Sequence, residues 1–217
     1  MLIINLSLDG KKIVVVGAGK EAQKRIKSLL KNNCKILVIS NKISKPVESL
    51  VKKKKIEFKK LEIANGDFLK IEKPDIVITT TDDKQVNEKI ISQAKKRKIL
   101  AYSSDNPEMS DFSNPAIIDL QEIVQIAIFT GGRSPSMSKK IKEQIEKSVK
   151  KTIKQEELDQ IKIQQIARKL AKEKITTQSQ RKEFLNSIMG DKEIKQLIKD
   201  RKTKKVENRI VSILREW

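Results

Sequence analysis

With 217 residues, one cysteine, no histidine and a formal net charge of +20, the chain has room for one sizeable core, or for a domain and a smaller partner. An intramolecular disulfide framework is excluded, and a single thiol suits a reducing cytoplasm; without histidine, no dedicated metal site is expected and any acid–base work falls to carboxylates. No apolar run approaches the ~20 residues that cross a bilayer, and the opening MLIINLSLDGKK carries its charges after its apolar part, which argues against a signal peptide.

The basic excess is shared almost evenly between residues 1–138 and 139–217, with Lys and Ile abundant throughout. A nucleic-acid arm concentrates its charge in one segment, so this spread points to compositional bias or to an anionic small molecule, with no nucleic acid and no membrane as partners. The KKKK run at 52–55 reads as a solvated face.

In chain order, KKIVVVGAGK begins with a β-branched apolar run, Ile13 to Val16, with no polar alternation. That is the signature of a strand buried on both faces of a parallel sheet. KEAQKRIKSLLKNN follows as a helix with Ile26, Leu29 and Leu30 on one face. Cys34 precedes KILVIS, a second buried strand, and a helix is expected around KPVESLVKKKK. IEFKKLEI and DIVITTT are the third and fourth strands. DKQVNEKIISQAKKRK is a helix with Val86, Ile90, Ile91 and Ala94 inward, and ILAYSS is the fifth strand. Strands alternating with helices predict an α/β, Rossmann-like doubly wound parallel sheet.

The rhythm then changes. PAIIDL and IVQIAIFT are separated by too few residues for a helical crossover, so they form an antiparallel hairpin. Val124, Ile126 and Ile128 share one face, with Gln125, Ala127 and Phe129 on the other; both faces are partly apolar, which leaves one for another subunit. GGRSPSMSKKIKEQIE is a turn leading into a helix, with Ser134, Ser136 and Ser138 as candidate N-caps and Pro135 in the first turn. From about Thr152 the chain is helical and charged. Ile163, Ile166 and Leu170 make a stripe, and Gly190 is expected just past a helix end. The division expected is a nucleotide-binding domain over 1–113, a small α+β segment over 114–150 and a helical C-terminal domain over 151–217.

VVVGAGKEA sits between a buried strand and a helix, the context a phosphate loop requires. Gly17 permits the tight turn, Gly19 lets the backbone approach a pyrophosphate, and Ala22 takes the third glycine position. The acid expected about 20 residues on, for the ribose hydroxyls, is replaced by Ser40, Asn41 and Lys42. Lys42 tolerates a 2′-phosphate, so spacing alone leaves NAD and NADP open. Asp105 lies past the fifth strand, where open α/β sheets place ligands; Asp-Asn-Pro is also good turn chemistry by itself. Asp82 and Asp83 either cap the following helix or lie near a cofactor.

VVVGAGKEAQKR, TTTDDKQVNEKI (79–90), SSDNPEMSDFSNPAIID (103–119) and IFTGGRSPSMSKKIKEQIE (128–146) occur in that order, and together they resemble the precorrin-2 dehydrogenase family, which includes the N-terminal part of sirohaem synthases. The likeness covers roughly residues 1–150. It implies NAD-dependent oxidation of precorrin-2, a tetrapyrrole, to sirohydrochlorin, and a homodimer built on the hairpin and the helix after it. The missing ribose acid agrees with that family, which favours NAD. By position, the family's nucleotide contacts fall on Lys20, Glu21, Asn41 and Lys42, with Thr81 beside them, and its key acid falls on Asp105. A serine that some members carry before the Gly-Gly pair is Thr130 here. Arg133, and Lys139 beyond it, are candidate clamps for the substrate's carboxylate arms. No methyltransferase domain follows in this sequence, as in the stand-alone dehydrogenase/ferrochelatase members; some of these only dehydrogenate, so the resemblance leaves ferrochelatase activity open. Two other classes compete: a nucleotide-sensing regulatory Rossmann module, which needs the glycine loop but not Asp105, and a nucleic-acid binder using the C-terminal helices.

Overall fold

A computed structural model describes residues 3–217, which form two compact units divided between Asn114 and Pro115. The first unit holds β1 (Lys12–Val16), α1 (Lys20–Leu29), β2 (Lys35–Ser40), α2 (Lys45–Lys52), β3 (Glu57–Lys60), α3 (Phe68–Glu72), β4 (Ile76–Thr79), α4 (Lys84–Lys96) and β5 (Leu100–Ser103). All five strands are parallel, in the order β3-β2-β1-β4-β5. The order reverses between β1 and β4, whose register pairs Val14 with Val77 and Val16 with Thr79.

The apolar runs follow from two-sided burial. Ile13 and Val15 join Ile26 and Leu29 of α1 and Val47 of α2 in one cluster. Val14 and Val16 join Phe68 and Leu69 of α3 and Ile90, Ile91 and Ala94 of α4 in the other. Alternate side chains of one strand thus feed opposite layers, so no position is left for a polar residue. Cys34 stands just before β2, half-buried, and burial pushes its thiol above the ordinary value.

One element escapes the periodicity. α3 is only five residues long and closes on Lys73 in the left-handed region, φ 43°. Its last residue, Glu72, receives Lys12 Nζ at 2.9 Å and Lys59 Nζ at 2.8 Å, and so clips the strands on its own side of the sheet.

β5 is an edge strand, and an open edge is a template for unwanted pairing. The chain folds back to cover it. Ala101 N–H donates to the Asp111 carboxylate at 2.9 Å, Asp111 N–H donates to Ala101 C=O at 2.8 Å, and Ser103 N–H donates to Ser110 Oγ at 2.9 Å. Tyr102 and Phe112 stack with ring centroids 5.4 Å apart. The loop between, with its 3-10 turn at Pro107–Met109, carries Asp105.

The second unit starts with β6 (Ala116–Leu120) and β7 (Val124–Ile128), an antiparallel pair whose turn residues Gln121 and Glu122 both have positive φ, 58° and 60°. Three residues separate the strands, since Leu120 pairs with Val124, and Ile123 N–H closes the turn on Leu120 C=O at 3.1 Å. Ile118, Leu120 and Ile126 pack against Val149, Ile153 and Leu158, while Ile117, opposite Ala127, lies on the other face and is 41% exposed. α5 (Pro135–Thr152) is capped by Ser134, whose hydroxyl accepts from Met137 N–H at 3.2 Å, with Pro135 at the first position.

Then come α6 (Gln155–Lys174), α7 (Gln178–Gly190), α8 (Lys192–Lys199) and α9 (Thr203–Arg215) around Ile163, Ala167, Ala171, Phe184, Ile188, Ile194, Ile198 and Ile210. Ile166 and Leu170 flank the buried line, which runs through the two alanines. Gly190 does not lie beyond α7 but ends it. Asp191, at φ −62° and ψ 119°, caps both α7 and α8, so the chain turns at an extended residue and needs no left-handed glycine.

Candidate functional site

A cleft of about 930 Å³ opens above the carboxyl ends of β1, β2 and β4 in the first unit. Gly17, Gly19, Lys20, Glu21, Asn41, Lys42 and Thr81 all line it, with Asp82 and Asp83. This is the crevice where the strand order reverses, the expected ligand position in a doubly wound sheet.

The two glycines do different work. Gly17 has φ +103°, and a Cβ there would sit 2.6 Å from Thr80 Oγ1 and 3.1 Å from the Thr80 carbonyl carbon and oxygen. Thr80 is itself fixed, its N–H and its hydroxyl both donating to Val16 C=O at 2.8 Å. Gly19 is the N-cap of α1, and a Cβ there would meet nothing within 4 Å. The loop is therefore tight beneath and open above. The first turn of α1 presents backbone N–H groups to the open side, which suits a pyrophosphate. This chain's residues fit a dinucleotide on that observation.

Glu21 is occupied locally. Arg25 approaches its Oε1 at 2.7 Å and Lys24 its Oε2 at 3.0 Å. Burial pushes the Glu21 carboxyl up, but bonding and charge from these two cations outweigh it and hold the group below the ordinary value. Arg25 also lies 4.8 Å over the Tyr102 ring and donates to its hydroxyl at 2.8 Å. Asp83 caps α4, accepting from Val86 N–H at 3.1 Å, which leaves Asp82 exposed in the cleft.

Asp105 is exposed two residues beyond β5, and one of its oxygens is fully committed. Its Oδ1 accepts from Ser103 Oγ at 2.6 Å and from Asn87 Nδ2 at 3.0 Å. Asn87 is completely buried; its Nδ2 also donates to Thr81 C=O at 2.9 Å, and its Oδ1 accepts from the Thr81 hydroxyl at 2.6 Å. Those partners fix which way the amide points. Thr79 Oγ1 adds a bond to Ser103 Oγ at 3.3 Å. Asn87 thus bridges a residue of the nucleotide cleft to the acid, and Asp105 Oδ2 keeps no protein partner among the described residues.

Asn87 and Ser103 lie in stretches that carry the family resemblance, but the sequence assigns neither a role. A signal existed: Asn87 falls three and four residues before Ile90 and Ile91, on the helix's inward stripe, and Ser103 falls two after inward Ala101. A polar residue at an inward position is buried, and a buried polar group needs partners.

Thr130 and Arg133 lie in the second unit. The Thr130 hydroxyl ties the Gly-Gly turn to α5, donating to Ser134 C=O at 3.0 Å and pairing with Ser138 Oγ at 2.9 Å. Arg133 is exposed, and Lys139 faces Glu143 at 3.9 Å. Among the described residues no three His, Cys, Asp or Glu side chains converge as metal ligands, and no helix is long and apolar enough to cross a membrane.

Comparison with known proteins places these features. Residues 4–116 match a family model described as "Putative NAD(P)-binding". The chain is 28% identical over 204 residues to a "Putative precorrin-2 dehydrogenase" of Methanocaldococcus jannaschii, covering 92% of this chain and 95% of that one. It is 26% identical over 149 residues to the "Precorrin-2 dehydrogenase" of Bacillus subtilis, covering 69% of this chain and 89% of the other. A "Siroheme synthase" of Mannheimia succiniciproducens is 30% identical over 139 residues, and the match spans only 28% of that longer protein. Among solved structures, "SirC, precorrin-2 dehydrogenase" superposes with a TM-score of 0.72 at 21% identity, covering 100% of both chains, which establishes the shared fold.

Proposed function

The chain belongs to the NAD(P)-binding family whose model spans residues 4–116, and from that premise we propose that it oxidises precorrin-2 to sirohydrochlorin with NAD. The observation that carries the proposal is the single hydrogen-bonded network joining Thr81 of the nucleotide cleft, through buried Asn87, to the carboxylate of Asp105. A regulatory nucleotide sensor has no need of such a link. The relatives named as precorrin-2 dehydrogenases, matched over most of their length, support the same choice.

The oxidation removes a hydride and a proton from the reduced macrocycle. The nicotinamide ring, when bound, accepts the hydride. The chain's own residues supply position and proton handling. Gly17 and Gly19 seat the pyrophosphate at the N-terminus of α1, with Lys20 at the mouth. Asp105 takes the proton on Oδ2, because Oδ1 is held by Ser103 and Asn87. That arrangement orients the acid without neutralising it. Arg133 and Thr130 serve the substrate, Arg133 by pairing with its carboxylate arms. The protein works as a cytoplasmic homodimer with residues 114–150 as its dimerisation segment, and a second copy covers the open hairpin face at Ile117 and Ala127.

The test supplies precorrin-2 and NAD and follows the sirohydrochlorin absorbance. Asp105→Ala is expected to lower turnover by about 10²–10⁴-fold while NAD affinity stays within about twofold of the parent. A folded, NAD-binding wild type with no turnover would falsify the dehydrogenase assignment and favour the sensor.

A further inference from the structure

We propose that the second unit carries a binding site of its own, for a small apolar molecule ending in a carboxylate, in the cavity between α6, α8 and α9, and that Arg201 is the residue that holds the carboxylate. This site is separate from the nucleotide cleft, and its test does not depend on the activity proposed above. The cavity measures about 470 Å³, within the roughly 300–1,000 Å³ that small-molecule sites occupy.

Its lining divides by chemistry. Ile163 and Ile166 of α6, Leu197 and Ile198 of α8 and Val206 of α9 form the apolar part. Ile163, Ile198 and Val206 belong to the buried core of the helical bundle, so packing sets their positions and the hollow is preformed. The turn between α8 and α9 is fixed as well: Arg201 N–H donates to Ile198 C=O at 3.0 Å, and Lys202 N–H donates to Leu197 C=O at 2.9 Å. That turn brings Arg201 to the cavity, which Lys162 and Lys202 also line. Lys162 is paired with Asp159 at 3.4 Å and Lys202 with Asp200 at 2.9 Å. Arg201 is exposed, and its guanidinium has neither an ion pair nor a hydrogen bond among the described residues. A guanidinium matches a carboxylate with two parallel hydrogen bonds.

One group opposes an anion here. Asp159 lines the same cavity, but its Oδ1 already accepts from Gln155 Nε2 at 2.9 Å and faces Lys162. With three cations to one acid on the lining, the balance favours a negative head. The apolar part decides the body of the ligand. A bare phosphate or a nucleic-acid backbone would leave Ile166 and Leu197 in water, whereas a hydrocarbon chain covers them.

The experiment titrates decanoate, butyrate and decanol separately into the full chain, below the concentration at which decanoate forms micelles, and follows the isoleucine, leucine and valine methyl resonances. Saturable shifts with decanoate are expected at Ile163, Leu197, Ile198 and Val206, and not at Ile43 or Val86 of the nucleotide cleft. Butyrate should bind at least about 100-fold more weakly, because each buried methylene contributes roughly fourfold. Decanol should bind at least about tenfold more weakly, because it cannot take both guanidinium hydrogen bonds. Arg201→Asn should weaken decanoate by at least about tenfold and leave decanol unchanged. Asparagine accepts the positive φ of 56° at this position, so the fold is kept. Absence of saturable decanoate binding, binding confined to the nucleotide cleft, decanol or butyrate binding as tightly as decanoate, or an Arg201→Asn variant that holds decanoate as well as the parent each overturns the proposal.

Discussion

The two units bury polar groups very differently. Among the described residues, Thr79, Thr80, Asn87 and Ser103 are buried in the first unit, at the ends of β4 and β5 and on the first turn of α4, whereas Ser138 is the buried polar side chain of the second, on the first turn of α5. A buried polar group costs free energy unless every donor and acceptor is matched. In the first unit that cost is concentrated at one end of the sheet, where the partners interlock and hold Asp105. The second unit spends its interior on aliphatic packing around Ile163, Phe184 and Ile210. Where a small domain tolerates buried polarity is thus a guide to where its chemistry is placed.

The sharpest way to break that contrast is at the glycine loop. Gly17→Ala adds a Cβ against the Thr80 backbone at a φ that L-residues avoid. We expect a loss of about 2–4 kcal/mol in the first unit and no measurable NAD binding, read by chemical denaturation and calorimetry. Alanine at Gly19 should keep the fold, since nothing stands within 4 Å of the new atom.

Next in size is a matched pair of polar truncations. Asn87→Ala strips both the Thr81 carbonyl and Asp105 of a donor and should cost about 2–3 kcal/mol, with a drop in turnover that is absent when Asp105 is already alanine. Ser138→Ala removes one hydroxyl from the first helical turn of α5 and should cost about 1 kcal/mol. Equal costs at the two positions would remove the distinction between the units.

The smallest effect is electrostatic. Hydrogen bonds from Lys59 and then Lys12 hold the Glu72 carboxyl below its ordinary value of 4.5. A depressed folded value means stability that is present above 4.5 and is lost as the pH falls through the depressed value. Glu72→Gln should therefore lower stability by about 0.5 kcal/mol at neutral pH and flatten the acid limb of a denaturation profile.

The sheet was legible because two-sided burial writes itself as uninterrupted β-branched runs, and Ile13 to Val16 admit no other role. The hairpin was legible from the short spacing between two strands. α3 was not, because five residues give no helical period and its two inward side chains, Phe68 and Leu69, are adjacent. Gly17 and Gly19 were read from a loop whose backbone demands are local. Asp105 needed both its place after β5 and the family resemblance, since Asp-Asn-Pro alone describes a turn. Asn87 stands in the TTTDDKQVNEKI stretch that carries the resemblance, yet that stretch gives it no role; only the spacing to Ile90 and Ile91 marks it as inward.

Ser110 and Asp111 hem the free border of the sheet with the same loop that presents Asp105. Solubility and the proton handling proposed for Asp105 are therefore stitched by one thread: a change that loosens this loop also bares β5 to neighbouring chains. Attempts to broaden the enzyme's scope at residues 104–111 should be watched for precipitation as closely as for turnover.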